Sequence, residues 1–374
     1  MASLAQRNLF HDKIRLAVTV IGVQFAVALV VVELGLFFGF KETTSTVISH
    51  SHADLWVTFK HVPYLELGAP FKERKLYQVM AVPGVADAEK LIVHGTRWNR
   101  PDGAQEAIQI VGFNPAGRMG GPWNLVQGSI RDLQIPGGVI VDELYKKKLE
   151  VTGVGDEFEI NGHRARVVGF THGIRSFTTS PYVFTTFKNA QDFAPVAEDQ
   201  TTFVLVRTDP GVNLDAVRRD ILSHVKDVSV LTTPEFSQIT QHYWTYTTGA
   251  GLAVLAAAVL GLIVGFVVVA QTIYATTMDH LKEFGTLKAI GARNSYVYKV
   301  ILTQASVAAV IGYSLGMIIG CIVVRLSEPT GITIVMNWQI AIGTFILTLL
   351  MCAGAALISI NKVTRLDPAM VFKG

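Results

Sequence analysis

The sequence predicts an α+β integral membrane protein, with four transmembrane helices and a large α+β periplasmic domain between the first and the second. Three observations carry that prediction. Half of the 374 residues are hydrophobic and only 16% are charged, well below the quarter or so usual in soluble proteins. Four apolar stretches are each long enough to cross a hydrocarbon core of about 30 Å at about 1.5 Å per helical residue. The stretch 41–248 shows instead the alternating strand and turn signals of a folded domain.

The spans are expected at 16–40, 249–277, 300–324 and 338–360. The first is too long, and lacks the small-residue cleavage site, to read as a removable signal peptide, whose hydrophobic region is about 7–15 residues. Orientation follows from the basic residues beside the spans, because Lys and Arg are retained in the cytoplasm. Arg7, Lys13 and Arg15 lie in an amphipathic N-terminal helix, 1–15. Lys282, Lys288, Arg293 and Lys299 lie in the connection 278–299, and Lys362, Arg365 and Lys373 in the tail 361–374. These three segments are placed inside. In the loop 325–337, Arg325 is balanced by Glu328, so this loop goes outside together with 41–248.

Within the external domain two stretches resemble each other. A strand at 54–60, a helix at 71–81 and a strand at 85–94 are matched by a strand at 202–208, a helix at 214–225 and a strand at 228–231. They read as one βαβ-like unit used twice, in halves at about 41–115 and 200–248, which the family resemblance given below implies to be porter-like. A β-rich insert, about 116–199, lies between them, with runs at 138–141, 157–160 and 164–170. Asn161-Gly162 separates the last two and predicts a type I′ hairpin, since both turn positions need positive φ.

Several chemistries are excluded. No segment has the spacing of a nucleotide-binding loop; Gly285 to Gly291 comes nearest but lacks the Lys that would reach the phosphates. Zinc-protease, Cys-x-x-Cys and nucleophile-elbow motifs are missing too, so no catalytic and no metal-binding residues are expected. His50 and His52 lack a third ligand, and the neighbours Asp142 and Glu143 point apart and read as solvated surface charge. The two cysteines, Cys321 and Cys352, sit inside apolar runs and are expected unpaired. Basic residues gather at span ends rather than in a patch, so no nucleic-acid partner is expected.

The connection between the second and third spans is the most informative segment. Read as a helix, Leu281, Phe284, Leu287 and Lys288 share one side and Lys282 and Glu283 another, with Gly291 as the C-terminal stop. A short stiff helix between two spans either transmits a push from a soluble partner or is an ordinary interfacial helix, and spacing alone leaves both open. Its Glu283, Gly285, Lys288, Ala289 and Gly291 match the Glu-x-Gly-x-x-Lys-Ala-x-Gly signature of the FtsX/MacB-type permeases, the type VII ABC transporters. The stretches 5–9, 53–55 and 366–372 agree, so the chain resembles that family over its whole length. Residues 231–236, Trp244, Asp279, His280 and 367–372 resemble most closely the DevC-type exporter permeases.

The resemblance implies a homodimer in the bacterial inner membrane with both termini cytoplasmic, no cofactor on this chain, and a separate ABC ATPase dimer carrying ATP and Mg. It further implies a periplasmic membrane-fusion adaptor and an outer-membrane channel. By the same resemblance Asp279, His280, Leu281, Lys282, Glu283, Phe284, Gly285, Leu287, Lys288 and Gly291 form an ATPase-coupling helix. The chain is then an exporter permease that expels an amphipathic cargo such as a lipid or glycolipid. The alternative is a transmitter that moves no cargo and activates a periplasmic partner; the size of the external domain favours transport.

Polar residues within the spans are costly and draw attention to Glu33, Gln24 and Gln271. Glu33 departs from the Gln found at this place in DevC-type relatives and either faces cargo, lining an outward cavity or contacting an amphiphile head group, or is protonated or paired at the dimer seam. Gln24 and Gln271 read more plainly as interhelical hydrogen-bonding groups. The stripes Gly261-x-x-x-Gly265 and Gly312-x-x-x-Gly316, with Gly320 beyond, let helices approach closely, either within the chain or across a dimer.

Overall fold

The computed structural model describes residues 13–178, 180–280, 283–286, 290, 292–328 and 331–364. Most of the amphipathic N-terminal helix, the tail from 365, and Leu281, Lys282, Leu287, Lys288, Ala289 and Gly291 of the connection lie outside the described residues.

The chain divides into two units. One holds the chain up to Gly39, Leu252–Glu328 and the chain from Ile334; the other holds Phe40–Gly251 and 329–333. In chain order the elements are α1 (Lys13–Thr44), α2 (Thr46–Ser49), β1 (Leu55–Phe59), β2 (Phe71–Lys72), α3 (Arg74–Met80), β3 (Val85–Asn99), β4 (Gln105–Phe113), β5 (Leu125–Gln127), β6 (Gly138–Asp142), α4 (Lys146–Leu149), β7 (Glu157–Ile160), β8 (His163–Thr171), β9 (Tyr182–Thr186), α5 (Phe187–Phe193), β10 (Gln200–Thr201), β11 (Phe203–Thr208), α6 (Leu214–His224), β12 (Val228–Thr232), α7 (Thr233–His242), α8 (Ala250–Asp279), α9 (Asn294–Ser327) and α10 (Trp338–Thr364).

In the strand-rich unit, β12, β1, β11 and β3 are neighbours in that order, and each adjacent pair is antiparallel. Taken with α3 and α6 this is a split βαβ arrangement, two copies of one unit interleaved in a single sheet. Strand β1 is buried nearly throughout because its two faces meet different helices. Leu55 and Val57 lie with Leu76 and Val79 of α3 and Val217 and Ile221 of α6, while Trp56 meets Phe203 at 5.4 Å and Phe236 of α7 at 5.2 Å between ring centroids. The helix expected at 71–81 begins only at Arg74. Phe71 and Lys72 pair instead with Gln200 and Thr201, and the amide of Glu73 donates to the carbonyl of Asp199 at 2.7 Å. A ladder formed across more than a hundred residues outweighs the local helical period there.

β3 does not stop at His94 but runs for 15 residues. Its first half pairs with β11 and its second half with β4, so one strand serves both parts of the unit. The second part is a closed ring: β3, β4, β9, β6, β8 and β7 are successive neighbours, and β7 returns to β3 at Trp98 and Asn99. Inside it lie Ile92, Trp98, Ile110, Val141, Val167 and Val183, the inward positions of period-2 strands. Closure removes the exposed edges an open sheet would carry. At the β7–β8 hairpin, Asn161 and Gly162 have φ of 50° and 82°, and Ile160 faces His163 across the two-residue turn, the arrangement a type I′ turn requires.

Helix α5 closes onto this ring. A Cβ built on Gly112 of β4 would lie 2.1 Å from the Cβ of Ala190 and 3.5 Å from Phe187 Cα. Neither neighbour is the movable end of a long side chain, so Gly112→Ala is expected to lower the stability of the unit by about 1–3 kcal/mol, the usual cost of overpacking. Denaturant unfolding followed by far-UV circular dichroism checks this. A wild-type midpoint would mean that α5 shifts freely.

In the helical unit, α1, α8, α9 and α10 are each long and apolar enough to cross a membrane. Both glycine stripes receive α1. A Cβ at Gly312 would fall 2.6 Å from Val23, and one at Gly316 2.7 Å from Val27 and 2.8 Å from the carbonyl of Gln24. On α8, Gly261 and Gly265 face Glu33 and Ala26. With lipid on one side and apolar residues on the other there is little hydrophobic drive to associate, and close backbone approach supplies the dispersion energy instead. Thr19 and Thr276 add a hydroxyl pair at 2.9 Å between α1 and α8, and Tyr313 donates to the carbonyl of Ala341 at 2.9 Å between α9 and α10.

Candidate functional site

The second spanning helix, α8, ends at Asp279, His280 stands in a turn, and residues 283–286 of the connection to α9 are helical. Thr277 returns its hydroxyl to the carbonyl of Ile273 at 2.7 Å. Main-chain bonds of helical spacing then continue: His280 N donates to Thr276 O at 3.4 Å, Phe284 N to His280 O at 3.1 Å and Ile290 N to Thr286 O at 3.0 Å. The described part of the connection thus contains main-chain bonds of helical spacing after the end of the second span.

Its described side chains divide by face. Phe284 is 3% exposed and lies in the helical core with Val297, Val300 and Ile301 of α9 and Ile273 of α8. His280 is buried as well, its ring 6.5 Å from that of Phe284, and Gly285 is buried beside it. Asp279, Glu283 and Thr286 are exposed. Nδ1 of His280 lies 3.0 Å from Oε1 of Glu283, close enough for an ion pair but without the alignment of a hydrogen bond. Residues grouped by the resemblance thus have two roles: His280, Phe284 and Gly285 root the segment, while Asp279 and Glu283 face outward. Ile290 joins the outward set, at 79% exposure the most exposed large hydrophobic residue of the described chain. Periodicity missed it, because an apolar residue between Ala289 and Gly291 reads as part of the buried stripe.

The polar residues of the spans do not converge. Glu33 is half-buried on α1, with its Cγ 3.1 Å from the position of a Cβ on Gly261 of α8. Gln24 lies nine residues earlier, about 13 Å along the helix axis, half-buried where its carbonyl meets Gly316. Gln271 is exposed on α8, turned away from the chain's own helices. Among the described residues no three His, Cys, Asp or Glu side chains are grouped as metal ligands. His50 instead stacks on Trp123 with centroids 4.1 Å apart, and Cys321 and Cys352 are both free thiols.

Comparison with known proteins bears on this geometry. The MacB-like periplasmic core domain matches residues 16–223, more than half of the chain, and the FtsX-like permease C-terminal domain matches 239–368. The chain belongs to the MacB/FtsX family of ABC transporter permeases. An uncharacterised ABC transporter permease of Mycobacterium tuberculosis is 24% identical over 375 residues, and one of Mycobacterium bovis 22% identical over 381, each alignment covering 100% of both chains. A third relative, from Methanocaldococcus jannaschii, is 21% identical over 59% of this chain and 58% of its own. Among solved structures, the periplasmic region of MacB from Actinobacillus actinomycetemcomitans aligns with a TM-score of 0.36 at 13% identity, over 51% of this chain and 94% of that one. The extracellular domain of the ABC-type transporter YknZ from Gram-positive bacteria aligns with a TM-score of 0.36 at 14% identity, over 48% and 98%. In this permease the FtsX-like match takes in α8, the connection and α9, so the outward Asp279, Glu283 and Ile290 belong to the part shared with that domain.

Proposed function

We propose that the permease receives force from a separate ABC ATPase dimer through the segment following α8, and uses it to drive an amphipathic cargo, such as a lipid or glycolipid, outward from its external domain. One observation carries this reading. On a chain without a nucleotide-binding loop, the connection after α8 has Phe284 buried in the helical core and Asp279, Glu283 and Ile290 exposed. A push on those side chains passes directly into the residues that hold α8 against α9. ATP and Mg then belong to the partner, and this chain contributes no catalytic group.

Further parts of the proposal rest on family membership and charge. The basic residues beside the spans favour a cytoplasmic connection, cytoplasmic termini and residence in the inner membrane. Only 22–39% of the most apolar window of each spanning helix is buried within the chain, so ample surface is left for lipid and for a second copy in a homodimer. Glu33 and Gln271 are the polar groups such surroundings would meet. A periplasmic membrane-fusion adaptor and an outer-membrane channel complete the route.

The test is reconstitution of the permease with its cognate ATPase in nanodiscs of defined phospholipid, with ATP turnover read against added amphiphiles and the bound material identified by mass spectrometry. The expected result is amphiphile-stimulated turnover and a co-purifying lipid. Turnover indifferent to every amphiphile, with a periplasmic hydrolase captured in its place, would transfer the permease to the transmitter class.

A further inference from the structure

In the strand-rich unit, five aromatic rings join segments far apart in the sequence. Phe40 meets Phe177 with centroids 5.4 Å apart, Phe177 meets Trp244 at 4.4 Å, Trp244 meets Tyr64 at 5.1 Å, and Tyr64 stacks on Tyr243 at 4.2 Å. Phe40 belongs to the end of α1. Tyr243 and Trp244 belong to the π-helical turn Tyr243–Thr247 that leads toward α8, and such turns recur at functional positions.

The loop carrying Phe177 is pinned from β6 and the turn after it. Asp142, expected as surface charge, is instead buried, accepting from Ile174 N at 2.7 Å and from the Thr171 hydroxyl at 3.0 Å, and Ser176 N donates to the Tyr145 hydroxyl at 3.2 Å. From the same loop, Nη1 of Arg175 donates to the carbonyl of Ile332, in the stretch between α9 and α10, at 3.2 Å. This one cluster therefore gathers chain that continues into α1, α8 and the α9–α10 loop.

Glu66 is set against these rings. The residue is partly buried; its Oε1 accepts from the Tyr182 hydroxyl at 3.4 Å, while its Oε2 is shielded from solvent and makes no aligned hydrogen bond. The indole Nε1 of Trp244 is likewise buried without an aligned hydrogen bond, though it acts on the Glu66 carboxyl in favour of the charged form. The titratable groups acting around Glu66 are phenols: Tyr64 on its own segment, Tyr182 of β9, Tyr243 stacked on Tyr64, and Tyr145 beyond Tyr182. Arg175 and Asp142 act on Tyr145, one step further out. Burial pushes the Glu66 carboxyl up from its ordinary value, against weaker opposing contributions from its own backbone, Trp244 and Tyr182. An unpaired carboxylate in such a place costs several times what a neutral carboxyl does.

We propose that Glu66 is a proton-operated latch for this junction. With its carboxyl neutral the rings close around it. Ionisation draws water to Oε2 and loosens the 172–178 loop and the 243–247 turn from the end of α1. The sign follows from linkage: in the loosened form the carboxyl has its ordinary value and loses its proton first as pH rises. The closed junction is thus fully favoured below about pH 4.5, the ordinary Glu value, and progressively disfavoured until pH passes the raised value. The latch operates whatever the cargo is.

The experiment uses the full chain in nanodiscs with 5-fluorotryptophan at its five Trp positions, the Trp244 resonance being assigned by its loss in Trp244→Phe. Fluorine NMR is followed across pH. The Trp244 resonance is expected to titrate with a midpoint above pH 4.5 in the wild type and to stay at its low-pH position throughout in Glu66→Gln. Tyr182→Phe, which removes a donor to the charged form, is expected to move the midpoint higher. A wild-type resonance independent of pH, or the same titration in Glu66→Gln, overturns the proposal. Should Glu66→Gln fail to fold, an unchanged midpoint in Tyr182→Phe overturns it equally.

Discussion

Ile290→Asp is expected to reduce ATPase-coupled transport by tenfold or more while leaving the chain folded. Ile290 is 79% exposed, so the substitution removes no contact that holds the chain together. An Ile buried on docking contributes about 1.5–3 kcal/mol. A carboxylate placed in the same apolar contact adds a desolvation cost, so a loss of about 2 kcal/mol, roughly thirtyfold in affinity, is a modest expectation. Co-purification of the ATPase and its amphiphile-stimulated turnover measure the loss. Glu283→Lys reverses a second outward charge and is expected to act in the same direction, whereas Phe284→Ala should lower thermal stability first, because Phe284 lies in the core between α8 and α9. If Ile290→Asp and Glu283→Lys both couple like the wild type, the partner does not dock on this segment.

Gly316→Leu is expected to prevent assembly of the spans. A Cβ at this position already falls 2.7 Å from both Cβ and Cγ1 of Val27 and 2.8 Å from the main-chain oxygen of Gln24. Backbone cannot rotate away as the end of a side chain can, so a Leu here has to lever α1 off α9. Gly312, whose Cβ would meet Val23 at 2.6 Å, lies one turn along the same seam, so the displacement runs through successive contacts. Overpacking by a single group costs about 1–3 kcal/mol and a four-carbon side chain more, which exceeds what an individual interhelical contact in a membrane supplies. The measurement is thermal stability of the detergent-purified chain, with Gly343→Leu as control, since a Cβ on Gly343 meets nothing within 4 Å. Equal melting of the two variants would show that the α1–α9 seam yields.

The expected α+β class, the four spans and the family were legible from the sequence because each is written in local pattern: length of apolar run, charge beside it, a signature in one connection. The Asn161-Gly162 hairpin was legible for the same reason, since two residues determine the turn. The closed ring was not, because the return of β7 to β3 at Trp98 and Asn99 joins residues some sixty apart and no local period records it. Phe71 was misassigned to a helix for the same cause. The glycine stripes announced close contact but not its occupant: spacing defines a face, and only the fold places α1 on both. In the connection, helical spacing defined a side holding Phe284 but not where it faces; Phe284 turns into the core, and among the described residues there the exposed apolar one is Ile290. Glu33 lies half-buried beside Gly261, a neighbour that the sequence alone did not supply.

Strand β3 behaves as a splint. Its 15 residues extend for about 50 Å, and hydrogen bonds on successive stretches tie it first to the split βαβ sheet and then to the barrel. No linker interrupts it where a hinge would sit. Torque applied at its β11 end therefore tilts the barrel as a single lever arm, and the distal rim sweeps further than the base that drives it.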